Sequence, residues 1–133
     1  MNGNKVLLDS NVIIFASKGK FNIDDLFQTY DYFYISIINY MEVLGYEFDN
    51  AEEEKLILKT LNTIEIINTN LEIAESVVSY RKKKKIKIPD AIILATAKYV
   101  NAELLTDNTE DFKNIDNSVK VVPIKNLMNK KNH

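Results

Sequence analysis

The stretch from Ile86 to Phe112, IKIPDAIILATAKYVNAELLTDNTEDF, leaves the chain few ways to fold, because it sets carboxylates at both ends of a helix and strand that read as buried. From Ala91 to Val100 only Thr96 and Lys98 are polar. Such a helix is apolar most of the way round and belongs inside a domain rather than on its surface. Pro89 has no N–H to lose in a first helical turn, and the charge of Asp90 suits the positive end of the helix dipole. An ionised carboxylate entering a core at that point is nevertheless costly unless it is paired or holds a cation. No Lys or Arg lies within the following seven residues. Glu103 to Thr106 then reads as a strand, with Asp107 to Asp111 a polar loop at its carboxyl end.

Taken in order, Lys5 to Leu8 is a short apolar run that suits a strand buried on both faces, with Asp9 at its carboxyl end, the edge where open α/β sheets bind ligands. Asp9 or Ser10 can also serve simply as the cap of a helix beginning near Val12. Asn22 is placed to cap a helix that buries Ile23, Leu26, Phe27 and Tyr30. Tyr32 to Ile35 suits a second strand, and Ser36 starts a helix to about Glu47. On it Glu42 neighbours Ile38, Asn39, Gly45 and Tyr46, a mainly uncharged face, although a lone helical Glu is more often an ordinary surface residue. Asn50 with Glu52, Glu53 and Glu54 is a capped, acidic first turn. Thr63 to Ile67 reads as a third strand. Asn70 caps a helix whose inner face is expected to be Leu71, Ala74, Val77 and Val78. Val119 to Val122 is a fifth strand, and Ile124 to Met128 a last helix before a basic tail that reads as frayed. Strands alternating with helices imply an α/β sandwich around a mostly parallel sheet of about five strands. Asp9, Asp107 and Asp111 then share one edge, to which helix starts bring Asp90 and Glu42.

The length, 133 residues, and a hydrophobic content of 46% suit a single domain over 1–133 with one core. No apolar run approaches the roughly 20 residues of a membrane span, and no signal peptide is recognisable, so a cytoplasmic protein is expected. There is no cysteine, and the one histidine is His133. Thiolate zinc sites, disulfides, cysteine nucleophiles and histidine-based chemistry are thereby excluded or disfavoured, leaving carboxylates and lysines. A formal net charge of −2 does not announce a nucleic-acid binder. Arg81, Lys82, Lys83, Lys84, Lys85 and Lys87 are, however, six of the 17 basic residues and lie within nine positions of Asp90. Cations at a helix C-terminus are favourable in their own right, but a polyanion drawn to an acidic cluster would need such a patch beside it.

Four or more carboxylates converging without cations repel one another. The natural remedy is one or two hard divalent ions with oxygen ligands, Mg²⁺ or Mn²⁺, a site that suits phosphodiester hydrolysis. The series Asp9, Glu42, Asp90 and the Asp107–Asp111 acids comes with an Asp-Ser-Asn turn after the first apolar run. It also includes Pro-Asp-Ala-Ile-Ile-Leu-Ala-Thr-Ala followed by Leu-Leu-Thr-Asp-Asn-Thr-Glu-Asp-Phe. Over nearly the whole chain this resembles the PIN-domain ribonucleases, most closely the small VapC-like toxins of bacterial toxin–antitoxin pairs.

The resemblance implies a PIN-like three-layer α/β/α sandwich and an Mg²⁺- or Mn²⁺-dependent endoribonuclease that leaves a 3′-hydroxyl and a 5′-phosphate. It implies Asp9 and Asp90 as principal metal ligands, Glu42 as a ligand or an orienter of water, and Asp111, in preference to Asp107, as the fourth acid. The family often has that acid two residues after the strand-ending Thr, where this chain has Asn108. Ser10 and Asn11 would hold the first loop in shape, and the basic run would contact RNA. A cognate antitoxin and a homodimer are the expected partners, with Tyr32, Phe33 and Tyr34 as contact positions. Two other readings stand beside this one. One is a PIN-like module retained only for binding RNA or a partner. The other is a phosphoacceptor signalling domain, which would want an acidic neighbour that Asp9 lacks.

Overall fold

Val6 and Leu8 face one way from the first strand and Leu7 the other, and all three are buried. That two-sided burial is what a central parallel strand requires. The structure, a computed structural model, describes residues 3–131, with side chains described to residue 128. In order the elements are β1 (Lys5–Leu8), α1 (Ser10–Ser17), α2 (Ile23–Thr29), β2 (Tyr32–Ser36), α3 (Ile37–Leu44) and α4 (Ala51–Leu61). They continue with β3 (Glu65–Ile67), α5 (Leu71–Lys83), α6 (Ile88–Val100), β4 (Glu103–Thr106), β5 (Val121–Pro123) and α7 (Lys125–Lys131).

The five strands run in the order β3-β2-β1-β4-β5, and every pairing is parallel, so the mostly parallel sheet expected is wholly so among the described residues. With seven helices on its two faces it forms the PIN-like α/β/α sandwich. One core holds Val6, Leu8, Ile35 and Leu105 against α1, α2, α4 and α7. The other holds Leu7 and Leu104 against α5 and α6, with Ala91, Leu94, Ala95 and Ala97 of α6 all but fully buried. The apolar helix therefore lies where its composition requires. It stops where Asn101 turns left-handed, with φ 59° and ψ 47°.

Asn22, Asn50 and Asn70 each accept a backbone hydrogen bond at a helix start, as expected. Boundaries shift elsewhere. The first helix begins at Ser10 rather than near Val12, α3 stops at Leu44 with Gly45 as its cap, and β3 and β5 begin two residues late, at Glu65 and Val121. The inner face of α5 is Ile73, Val77 and Tyr80; Leu71 and Val78, expected there, are 76% and 53% exposed. Leu71 is the first helical residue, and the stripe that meets the sheet begins only at Ile73 and repeats at four and three residues. Of the aromatic trio expected at an interface, only Tyr32 is exposed: Phe33 packs on the first core and Tyr34 on the second, because β2 is an interior strand. The last helix continues past Met128 to Lys131, and the rest of the basic tail lies outside the described residues.

Candidate active site

From β1 the chain winds outward to β2 and β3, then returns across the sheet to β4 and β5. The crevice at the carboxyl ends of β1 and β4 is therefore the switch point of the topology, where open α/β sheets bind ligands. Leu8 is in register with Leu105, which places Asp9 and Asp107 just beyond that paired edge. Asp9 is the N-cap of α1, and both its oxygens are engaged. Oδ1 accepts from the Ser10 amide at 2.9 Å and from Asn39 Nδ2 at 3.2 Å, and Oδ2 accepts from Thr106 Oγ1 at 2.7 Å. The capping reading and the site reading thus describe one and the same carboxylate.

Ser10 Oγ donates to Glu42 Oε1 at 2.6 Å and accepts from Asn39 Nδ2 at 3.0 Å. Asn39 is completely buried, and its Oδ1 accepts from Ser36 N and Ser36 Oγ, closing the capping box of α3. Glu42, although exposed, is therefore tied through a buried network to Asp9 rather than standing free on a surface. Asn11 Nδ2 donates to Asp107 at 3.2 and 3.3 Å, and Asn108 Nδ2 donates to Asp111 Oδ2 at 2.6 Å, while the Asn108 amide donates to Thr106 Oγ1. Ser10, Asn11 and Asn108 are each bonded to one of the expected acids.

Asp9, Glu42, Asp90, Asp107 and Asp111 line one cavity of about 190 Å³, with Ile93 and Phe112 in its wall and, among the described residues, no Lys or Arg in its lining. Burial pushes the carboxyl of Asp90 above its ordinary range, the charges of Asp111, Asp9 and Glu42 push it further, and Lys87 opposes them. Burial likewise raises Asp9, with Glu42 and Asp107 adding to the effect, while the Thr106 hydroxyl and Ser10 amide hold it down in part. Among the described residues no three such side chains stand in an arrangement that would hold a metal ion as placed. The donor set itself, several hard carboxylate oxygens in mutual repulsion around one cavity, fits Mg²⁺ or Mn²⁺.

The raised groups have a consequence for stability. A carboxyl whose pKa is higher folded than unfolded binds more protons in the folded state, so its contribution is present below the ordinary value near 3.8 and is lost as pH rises through the folded value. Without divalent ions, wild type should therefore lose stability from mildly acidic to neutral pH more steeply than Asp90→Asn, with the variant the more stable of the two at pH 7. Parallel melting curves from pH 4 to 7 check this, and identical slopes would count against it.

A larger cavity of about 580 Å³ adjoins the acidic one, sharing Asp90 and Asp111, and Arg81, Lys84, Lys85, Lys87 and Lys113 line it. Lys82 and Lys83, expected with them, lie exposed on the last turn of α5 and line neither cavity. Sequence reasoning missed Lys113, Asn39 and Thr106. The Ser36-x-x-Asn39 spacing was the available signal for one, and a polar residue ending an apolar strand for another.

Fold and cavity define an α/β domain with an acidic cavity at the switch point of its sheet. Residues 6–118 match the PIN domain family, and the chain belongs to that family. It is similar to a solved toxin–antitoxin complex from Klebsiella pneumoniae, at 34% identity over 87% of this chain and 99% of that one, with a TM-score of 0.65. The fold is also similar to VapBC2 from Rickettsia felis bound to a promoter DNA fragment (20% identity, 90% and 98% covered, TM-score 0.73) and to FitAcB from Neisseria gonorrhoeae (22% identity, 88% and 96% covered, TM-score 0.67). No curated protein matches the chain. Family membership removes the ground for the phosphoacceptor reading.

Proposed function

We propose that the protein is a metal-dependent endoribonuclease, the toxin of a toxin–antitoxin pair, and that Asp9, Glu42, Asp90 and Asp111 form its active site. The observation that carries this reading is five carboxylates around one cavity, with no cation among the described residues of its lining, at the sheet's switch point. Asp9 and Asp90 are the principal ligands of Mg²⁺ or Mn²⁺, and Asp111, whose charge acts on Asp90 more strongly than any other, is the fourth acid in preference to Asp107. When bound, the ion supplies a Lewis acid that acidifies water and neutralises phosphate charge. The chain's own residues do the positioning. Ser10 fixes Oε1 of Glu42, and Oε2, with no hydrogen-bond donor among the described residues, orients the attacking water. Water adds at phosphorus as the bond to the 3′-oxygen breaks, giving the 3′-hydroxyl and 5′-phosphate.

Arg81, Lys84, Lys85 and Lys87 beside the cavity suit a polyanionic substrate. The likeness to the Klebsiella complex supports an antitoxin as partner. A homodimer is proposed as well, with Tyr32 the one member of the aromatic trio exposed to take part. Among the described residues no helix is long and apolar enough to cross a membrane, which accords with the cytoplasmic location proposed.

The test is purified protein with a structured RNA: cleavage with Mg²⁺ or Mn²⁺ and none with chelator. RNA or partner binding without cleavage would instead favour the non-catalytic PIN-like module. Millimolar Mg²⁺ or Mn²⁺ should also raise the melting temperature, since a ligand of the folded state alone stabilises it by mass action. Asp90→Asn should remove most of the rise; a rise of unchanged size would place the ion elsewhere.

A further inference from the structure

The two cavities meet at Asp90 and Asp111, and among their lining residues the cations stand on one side of that junction only. The α5–α6 corner supplies Arg81, Lys84, Lys85 and Lys87 to the lining of the larger cavity, and the segment after the 3₁₀ turn Thr109–Asp111 supplies Lys113. Lys84 and Lys85 take part in none of the ion pairs among the described residues. Lys113 is paired with Glu110 at 3.3 Å, an exposed i,i+3 contact that is worth little and easily exchanged for a phosphate. The Arg81 guanidinium is anchored on the Ile86 carbonyl at 2.6 Å, which holds the corner in shape.

The smaller cavity is lined instead by the acids and by the Asn11–Asp107 pair, which adds negative charge and no cation among the described residues. Three described cations outside the larger cavity are engaged or apart from both cavities. Lys18 is paired with Asp49 and Glu53, Lys20 lies over the Phe15 ring, and Lys125 at the start of α7 lines neither cavity. At about 580 Å³ the basic groove falls in the size range of sites that take a whole small molecule, so it has room for more than a single phosphate group.

We infer that this groove grips the RNA backbone on one flank of the cut only, so that phosphates on that side carry binding and those on the other are dispensable. The inference rests on the endoribonuclease reading. It follows from charge: an acidic cluster repels a polyanion, and the chain can approach closely only along the wall where cations offset that repulsion.

The experiment uses the full-length protein with Mg²⁺ and a single-stranded RNA oligonucleotide carrying one mapped cut, in versions where the two phosphates nearest the cut on either flank are uncharged methylphosphonates. Neutralising one flank should lower kcat/KM about tenfold or more, and the other by less than about twofold. In a Lys85→Gln/Lys113→Gln variant, checked for an unchanged melting temperature, the two flanks should become equivalent. The slope of log K against log salt should flatten by roughly 0.7 for each phosphate no longer gripped, the single-strand value. Equal losses on both flanks in wild type, or a flank difference that survives the double variant, would overturn the inference while leaving the nuclease reading intact. Failure of the wild type to cut any RNA would remove the reading and this inference together. Competition by polyglutamate equal to that by RNA at the same ionic strength would identify the groove as a seat for an acidic peptide and sink the proposal.

Discussion

Asp90→Asn protein should cut a structured RNA roughly a hundredfold to ten-thousandfold more slowly than wild type, the loss expected when several kcal/mol of charge stabilisation at the phosphate are removed. Asp90 is where the effect should be largest, because it lines the cavity from the first turn of a helix whose middle, Ala91 and Ile93 to Ala97, is buried, and it feels Asp111, Asp9 and Glu42 together. Asparagine keeps the shape and removes the charge. Expressed alone in a bacterium, wild type should arrest growth and both Asp9→Asn and Asp90→Asn should not, with growth under wild-type expression restored by a co-expressed antitoxin. Arrest by itself does not establish catalysis, since an inert protein can be toxic by aggregating, so the rates must be compared at equal folded concentration. The metal-free variant is expected to be at least as stable as wild type, and lost cutting cannot then be put down to unfolding. A variant that cut as fast as wild type would show that the acidic cavity is not the active site.

What could be read from the residues follows the strength of local signals. The α6 helix, its Pro89 start and the strand after it combine periodicity, a terminator and a charge at a cost, and they lie where expected. The order of acids was legible because each sits at a strand end or on a helix that the topology turns toward one edge. Glu42 was the weakest of these in its own setting, for the bond that singles it out comes from Ser10, 32 residues away. The links of Thr106 and Asn39 to Asp9 were hidden for the same reason: they span 97 and 30 residues, and a capping box looks the same whether or not its amide reaches further. The basic run illustrates the limit of composition. Six consecutive-looking cations read as one patch, yet helical geometry turns Lys82 and Lys83 away from the groove while a loop brings in Lys113. The inner face of α5 was misjudged because a stripe of apolar residues fixes its period but not its phase, and Leu71 at the first helical position has no sheet to cover it.

Asn39→Ala should destabilise the metal-free protein by about 2–4 kcal/mol, lowering the melting temperature by roughly 10 °C or more. The side chain is completely buried and serves four groups at once. Its amide donates to Asp9 Oδ1 and Ser10 Oγ, and its carbonyl oxygen accepts from Ser36 N and Ser36 Oγ. Alanine leaves all of these to find other partners, and an unsatisfied buried polar group costs about 1–3 kcal/mol. Asn39→Asp separates the two jobs. It keeps an oxygen for Ser36 and so preserves the cap of α3, but it removes the amide donor and sets a second carboxylate against Asp9. If Asn39 serves only as the capping-box partner of Ser36, the Asn39→Asp change should be nearly neutral at every pH, since an aspartate oxygen at that position accepts from the Ser36 amide as the asparagine oxygen does and suits the first turn of a helix. If Asn39 holds Asp9 in place, the carboxyl introduced by Asn39→Asp will be a buried acid with a raised pKa. The variant will then be close to wild type near pH 4 and increasingly destabilised as pH rises toward 7, where the folded protein must ionise two adjacent carboxylates. Added Mg²⁺ should recover part of that loss in Asn39→Asp and little in Asn39→Ala, because only the former gains an oxygen ligand beside Asp9. Melting curves of the two variants at pH 4 and pH 7, with and without Mg²⁺, decide the matter, and a pH-independent Asn39→Asp protein would reduce Asn39 to a helix cap.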